Sequence, residues 1–170
     1  MSETYTLYKL IVLYMLEKVD FPLTTSQISE FILEKEYTTY FKLQETLAEM
    51  EKSDLLRAET THNRTLYHLT DNGLDTIQYF RNKISPAIQR DIDEFLKEKK
   101  YDLKEEVAVK SDYYLNTNHE YEVCCQIVEN GFSLIDLKLT VPTESEAEAI
   151  AGNWASKSQD IYTLLLMKLL

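Results

Sequence analysis

Glycine and proline are scarce in this chain, three of each in 170 residues. That leaves little material for long loops and none for a phosphate cradle, a dinucleotide fingerprint or a nucleophile elbow. Cysteine is nearly absent too. Cys124 and Cys125 are adjacent, which makes neither a disulfide framework nor a set of metal ligands. Alternation along a strand points them to opposite faces, they read as small buried hydrophobes, and a reducing compartment is expected by default. Long apolar runs are missing: "LIVLYML" and "TLLLMKLL" are far too short to span a bilayer. No charged segment precedes an apolar one at the N-terminus, so the expectation is no signal peptide and a cytoplasmic location.

Positive charge is short as well. The formal net charge is −11, with −4 in residues 1–83 and −7 in residues 84–170. Nucleic-acid affinity comes largely from neutralising phosphates, so such a function has to rest on a local patch. The three histidines suggest no triad or metal pair: His62 and His119 sit at turn-like positions and His68 within a strand. Carboxylates are numerous but follow a solvent-facing period. The chain reads as a non-enzyme with no metal and no cofactor.

What is present is a folded chain, 44% apolar. Residues 6–19 are apolar almost all round, a helix that is buried on several sides or shared with a second subunit. Thr24 and Gln27 have capping-box spacing ahead of Ile28, Phe31 and Ile32. A third helix starts near Thr38 or Thr39, with Leu43, Leu47 and Met50 on its inner face. "LLRAET" and "TLYHL" are extended, with the polar tip His62-Asn63-Arg64 between them. Thr70 is a good cap for the next helix, although Gly73 inside it costs roughly 1 kcal/mol against alanine. A crowded first turn accounts for such a choice.

From Ser85-Pro86 another helix begins, and "KEKK" is placed to close it. Residues 103–114, 120–128 and 132–141 then alternate as three strands, the last two joined by Asn130-Gly131. Thr143 and Glu146 form a second capping box for a long helix with the stripe Ala147, Ile150, Trp154, Ile161 and Leu165. An antiparallel three-stranded sheet under one long helix is a natural two-layer unit.

Several of these stretches match known motifs. "LYHLTDNG" resembles the signature that ends the wing in many bacterial winged helix-turn-helix regulators. "LTTSQISEFI" resembles their second helix, and "LQETLAEMEKSDLL" resembles the end of their third helix and the entry into the wing. Asp54 departs from the pattern, standing where glycine is common and leaving the helix end less sharply terminated. The whole chain resembles a two-domain winged-helix family of unknown function. The implied fold is α+β. A winged helix-turn-helix domain occupies 1–82, and a linker helix with a sheet-helix domain for dimerisation or sensing occupies 83–170.

That resemblance implies a transcription regulator bound to double-stranded operator DNA, probing the major groove with the third helix and the backbone or minor groove with the wing. Thr38, Thr39, Tyr40 and Lys42 are the candidates on the helix, and Arg57, His62, Asn63 and Arg64 on the wing. Arg64 is favoured, since an arginine at a wing tip suits a narrow minor groove. Glu45 and Glu49 share the outward side and oppose phosphates unless turned away. Two surfaces suit a homodimer: the all-round apolar first helix, and the C-terminal Leu164, Leu166, Met167, Leu169 and Leu170. Tyr113, Tyr114, Tyr121, Phe132 and Trp154 either fill a core or line a pocket for an unknown small-molecule effector. The alternative function is a winged helix used for protein contact without DNA.

Overall fold

The computed structural model describes residues 3–170, and for residues 4 and 5 the backbone only. The described chain has six α-helices and two three-stranded antiparallel sheets. It divides into two compact units, one of residues 1–60 with 64–107, the other of residues 61–63 with 108–170.

The first unit runs α1 (Glu3–Lys18), β1 (Leu23–Thr24), α2 (Thr25–Glu34), α3 (Tyr40–Lys52), β2 (Leu56–Thr60), β3 (Thr65–Leu69), α4 (Asp71–Phe80), a 3-10 turn (Arg81–Lys83) and α5 (Pro86–Ala108). The sheet order is β1-β3-β2, with Leu23 opposite Tyr67 and Thr60 opposite Thr65. α1 is the centre of this unit. Its seven consecutive residues from Leu10 to Leu16 are all buried in one apolar cluster with α2, α3 and α5 side chains. The apolar middle of the first helix is therefore spent inside its own chain.

Local signals set the helix ends. Thr24 and Gln27 bond reciprocally as a capping box. The Thr70 hydroxyl accepts from the Gly73 amide at 3.0 Å. Gly73 itself is explained by crowding: a Cβ there meets the Leu55 carbonyl oxygen at 2.2 Å and Leu69 Cδ1 at 2.8 Å. The start of α4 is pressed against the turn that follows α3, and only glycine fits. Asp54 takes the left-handed conformation, φ 57°. Around it the Leu55 amide donates to the Met50 carbonyl and the Asp54 amide to the Glu51 carbonyl, the two bonds of a Schellman end. α3 thus stops sharply without glycine, where a looser end was expected.

α5 departs from the sequence reading. The helix does not close at "KEKK" but continues to Ala108, and the strand that follows covers only Val109–Leu115. Leu103 and Val107 satisfy both an alternating pattern and the i, i+4 row begun by Ile92, Phe95 and Leu96, and all five are buried. Burial of Leu103 in the first core favours the helix. For the same reason the compact units divide at 107/108 rather than at 82/83.

In the second unit, β4 (Val109–Leu115), β5 (Tyr121–Glu129) and β6 (Phe132–Val141) form a meander, and α6 (Glu144–Leu169) lies on one face. Asn130 and Gly131 both have positive φ, 51° and 81°, as a tight primed hairpin needs. Tyr113, Val123, Cys125 and Ile127 point towards Ala147, Ala151 and Trp154. The Trp154 indole donates to the Gln126 carbonyl at 3.0 Å, and the Ser111 hydroxyl to the Ala151 carbonyl at 2.8 Å. These two bonds anchor the helix to the sheet while satisfying polar groups in the layer between.

Candidate nucleic-acid interface

The turn between α2 and α3 presents the start of α3. Glu36 takes a left-handed φ of 55°, and the Tyr37 amide donates to the Ile32 carbonyl, ending α2. Thr39 caps α3, its hydroxyl accepting from the Lys42 amide at 3.3 Å. Leu43, Thr46, Leu47 and Met50 face the core. Phe41 and Glu45 lie on the opposite side, with Tyr40, Lys42 and Glu49 on its flanks, and all five are exposed.

Tyr40 is 56% exposed and Phe41 69%. Two aromatic rings in solvent at a helix start are unusual, because burial of such rings is a large apolar gain. Phe41 is not one of the candidates that the sequence motifs indicate. The signal was available: two residues before inward-facing Leu43, a 100° step puts Phe41 on the far side. Of the remaining candidates, Lys42 is exposed and Thr38 is half-buried, with its hydroxyl oxygen buried and lacking a hydrogen-bond partner. Arg57 lies exposed on β2, opposite His68.

Electrostatics on this face are milder than the sequence suggests. Lys9, from α1, reaches Glu49 at 2.8 Å. That hydrogen bond, with the attraction of the ammonium, holds the Glu49 carboxyl below its ordinary pKa. One of the two outward carboxylates on α3 is therefore already matched by a cation. No sequence signal places Lys9 and Glu49 together, since they lie on separate helices.

The hairpin tip is arranged differently from the free finger that the sequence suggests. The Arg64 guanidinium donates to the Glu106 carbonyl at 2.7 Å. Burial draws its pKa below the ordinary value, with Glu106 and Glu59 acting the other way. The His62 ring stacks on Tyr113, centroids 3.9 Å apart, and its Nδ1 pairs with the Asp112 carboxylate. Burial alone raises the Asp112 carboxyl pKa. The bonds from the His62 ring, the His62 amide and the Tyr113 amide outweigh it and leave the group below its ordinary value. Asn63 is exposed, its amide donating to the Thr61 hydroxyl at 3.3 Å. The structure thus groups Thr38 to Lys42 at one end of α3 and engages Arg64 and His62 within the chain.

The aromatic set of the second unit does not share a cavity. Tyr113 and Trp154 are buried in the sheet-helix layer, Tyr121 packs at its margin, and Tyr114 and Phe132 are exposed. The end of α6 is open: Leu164, Leu166, Met167, Leu169 and Leu170 are all exposed.

Among the described residues no group of three His, Cys, Asp or Glu is placed to hold a metal ion, and no helix is long and apolar enough to cross a membrane. What these features define is a mixed α/β protein of two compact units, with an aromatic and basic helix start on one of them. The chain belongs to a family described as Domain of unknown function (DUF4364), whose model matches residues 8–169. No curated protein and no solved structure matches it.

Proposed function

We propose that the first unit is a winged helix and that the protein is a transcription regulator, binding double-stranded operator DNA as a homodimer. The observation that carries this reading is the solvent-exposed start of α3, in a unit whose element order and β1-β3-β2 sheet follow the winged-helix plan. In that plan α3 enters the major groove. Lys42 meets phosphate, Tyr40 and Thr39 approach base edges or sugar, and the helix N-terminus adds its partial positive charge. Arg57 supplies a second phosphate contact from β2. The Lys9–Glu49 pair favours the reading by quenching a carboxylate on the groove side.

The wing contributes less than the sequence implies. With Arg64 bonded to Glu106 and His62 to Asp112, a contact from either to DNA needs those bonds exchanged. α3 carries the affinity. Fluorescence anisotropy on fragments from upstream of the protein's own gene tests this. Specific binding that weakens with salt is expected, with a loss of about tenfold or more in Lys42→Glu. Binding that is absent at low salt, or indifferent to Lys42→Glu, overturns it.

A second reading is favoured by one observation, the exposed Tyr40–Phe41 pair on an acidic protein. Aromatic anchors of this kind suit a protein partner. Tyr40→Ala with Phe41→Ala then abolishes capture of that partner, while no DNA fragment binds.

A further inference from the structure

The sheet of the second unit is wider than the helix that covers it. Three strands span about 14 Å, whereas a helix is roughly 10 Å across. α6 packs over β4 and β5, and the inner face of β6 is left partly bare. Leu137 and Leu139 point to the helical side, opposite Cys125 and Val123, and Leu139 is 47% exposed. Between them and the flank of α6 formed by Ile150, Trp154 and Ile161 runs an apolar cleft of about 260 Å³.

α6 is also longer than the sheet. Its 26 residues extend about 39 Å, against about 33 Å for the ten residues of β6. Tyr162 is the last α6 residue packed on the sheet core. Beyond it the sheet-facing row of Trp154, Ser158 and Ile161 continues at helical spacing into Leu165 and Leu169. Residues 163–169 are thus patterned to lie on a sheet, past the point where their own sheet ends. Leu164 and Leu169 are largely in solvent.

One chain therefore carries an apolar strand whose inner face is only partly covered and, two turns long, an apolar helix end that is largely exposed. We propose that two copies satisfy both at once, each laying the end of its α6 in the cleft beside β6 of the other. A two-fold axis near Tyr162 makes the two α6 helices antiparallel. The last turns of one copy then run along the Ile161-to-Trp154 flank of the other, over Leu137 and Leu139. Symmetry matters for the energetics: one tail in one cleft falls short of the roughly 1,600 Å² that standard interfaces bury, and the axis doubles it. The interface gives the dimer of the preceding section its contact surface.

Sedimentation velocity on the full chain without DNA tests the proposal, so its outcome is separate from that of the DNA titration. The native protein sediments at twice the 20.0 kDa of one chain. Leu169→Glu in the tail and Leu139→Lys in the cleft each weaken association by about tenfold or more, because each sets an unpaired charge in an apolar contact. Both positions are substantially exposed in one chain, so far-UV circular dichroism and the thermal midpoint at high dilution stay unchanged. Equimolar mixing of the two variants restores the dimer, since the mixed pair has one native contact and one Glu–Lys contact. A monomeric native protein, a dimer indifferent to both substitutions, or failure of the mixture to recover overturns the proposal.

Discussion

α1 and the end of α6 are written in nearly the same alphabet, "LIVLYML" and "TLLLMKLL", yet they meet opposite fates. Ile11, Val12, Leu13 and Met15 have no solvent exposure, whereas Met167 is 76% exposed and Leu170 fully so. The cause is the number of neighbours the fold supplies. α1 is ringed by α3, α4, β3 and the turn after α4, so every side of it has a partner. α6 has a sheet on one side only, and its last turns outrun even that. An apolar helix in a sequence says how much surface needs covering. Which chain covers it depends on topology.

The largest expected effect lies at the centre of the ring. Leu13→Ala leaves a void in a fully enclosed position and costs about 3 kcal/mol, read as a shift of the urea midpoint at unchanged slope. Leu169→Ala, measured at high dilution in the same way, changes the unfolding free energy by less than about 0.5 kcal/mol. Equal losses at the two sites remove the distinction between a buried and an unspent helix.

Gly73→Ala comes next. Helix propensity alone predicts a gain of roughly 1 kcal/mol. The added Cβ also meets the Leu55 carbonyl oxygen and, at 3.2 Å, Leu13 Cδ2 of α1. A rigid backbone oxygen cannot yield, so the substitution costs about 2 kcal/mol net. A stabilised Gly73→Ala protein shows that the collar around α1 is loose enough to admit a methyl group.

The collar also responds to pH. Tyr14 donates to Asp93 at 3.0 Å and Tyr37 to Asp91 at 2.7 Å, which ties α1 and the α2–α3 turn to α5. Burial, then the hydrogen bond to a carboxylate, pushes each phenol up to about 12 from 10.0. Because the folded pKa lies above the unfolded one, this contribution is complete below pH 10 and is lost as pH rises from 10 towards 12. Stability against urea falls over that window. In Tyr14→Phe with Tyr37→Phe it is lower at neutral pH but falls less steeply between pH 10 and 12. An equal slope in the variant places the alkaline loss elsewhere.

Much of this architecture was legible because local chemistry and global fold agree. Thr24 with Gln27, Thr70, Asn130-Gly131, and Thr143 with Glu146 each mark an element end that the structure keeps. The strand expected from residue 103 failed because Leu103 and Val107 fit two periods, and it is the first core, which takes in Leu103, that favours the helical one. The candidate interface was legible as a helix face but not as a set of partners. Lys9 with Glu49, Arg64 with Glu106 and His62 with Asp112 are pairs separated by 40 to 50 residues in each case. Nothing in the spacing of such residues says that they meet. A basic residue at a turn reads as available until the fold supplies its partner.

The smallest expected effect concerns the turn that presses on Gly73. Asp54 and Glu36 both occupy the left-handed position after a helix, where glycine is the common choice. For an L-residue that conformation costs roughly 1 kcal/mol or more, which Asp54→Gly relieves. The same change removes the bond from the Asn72 side chain to the Asp54 carboxylate, 2.7 Å, worth about 0.5 kcal/mol at an exposed site. It leaves in place the Thr70 hydroxyl bond to the residue-54 carbonyl, because that acceptor is backbone. The balance is a gain of about 0.5 kcal/mol, within reach of replicate urea titrations. A loss instead makes the Asn72–Asp54 bond, rather than backbone relief, the reason for an aspartate where the helix end would accept glycine.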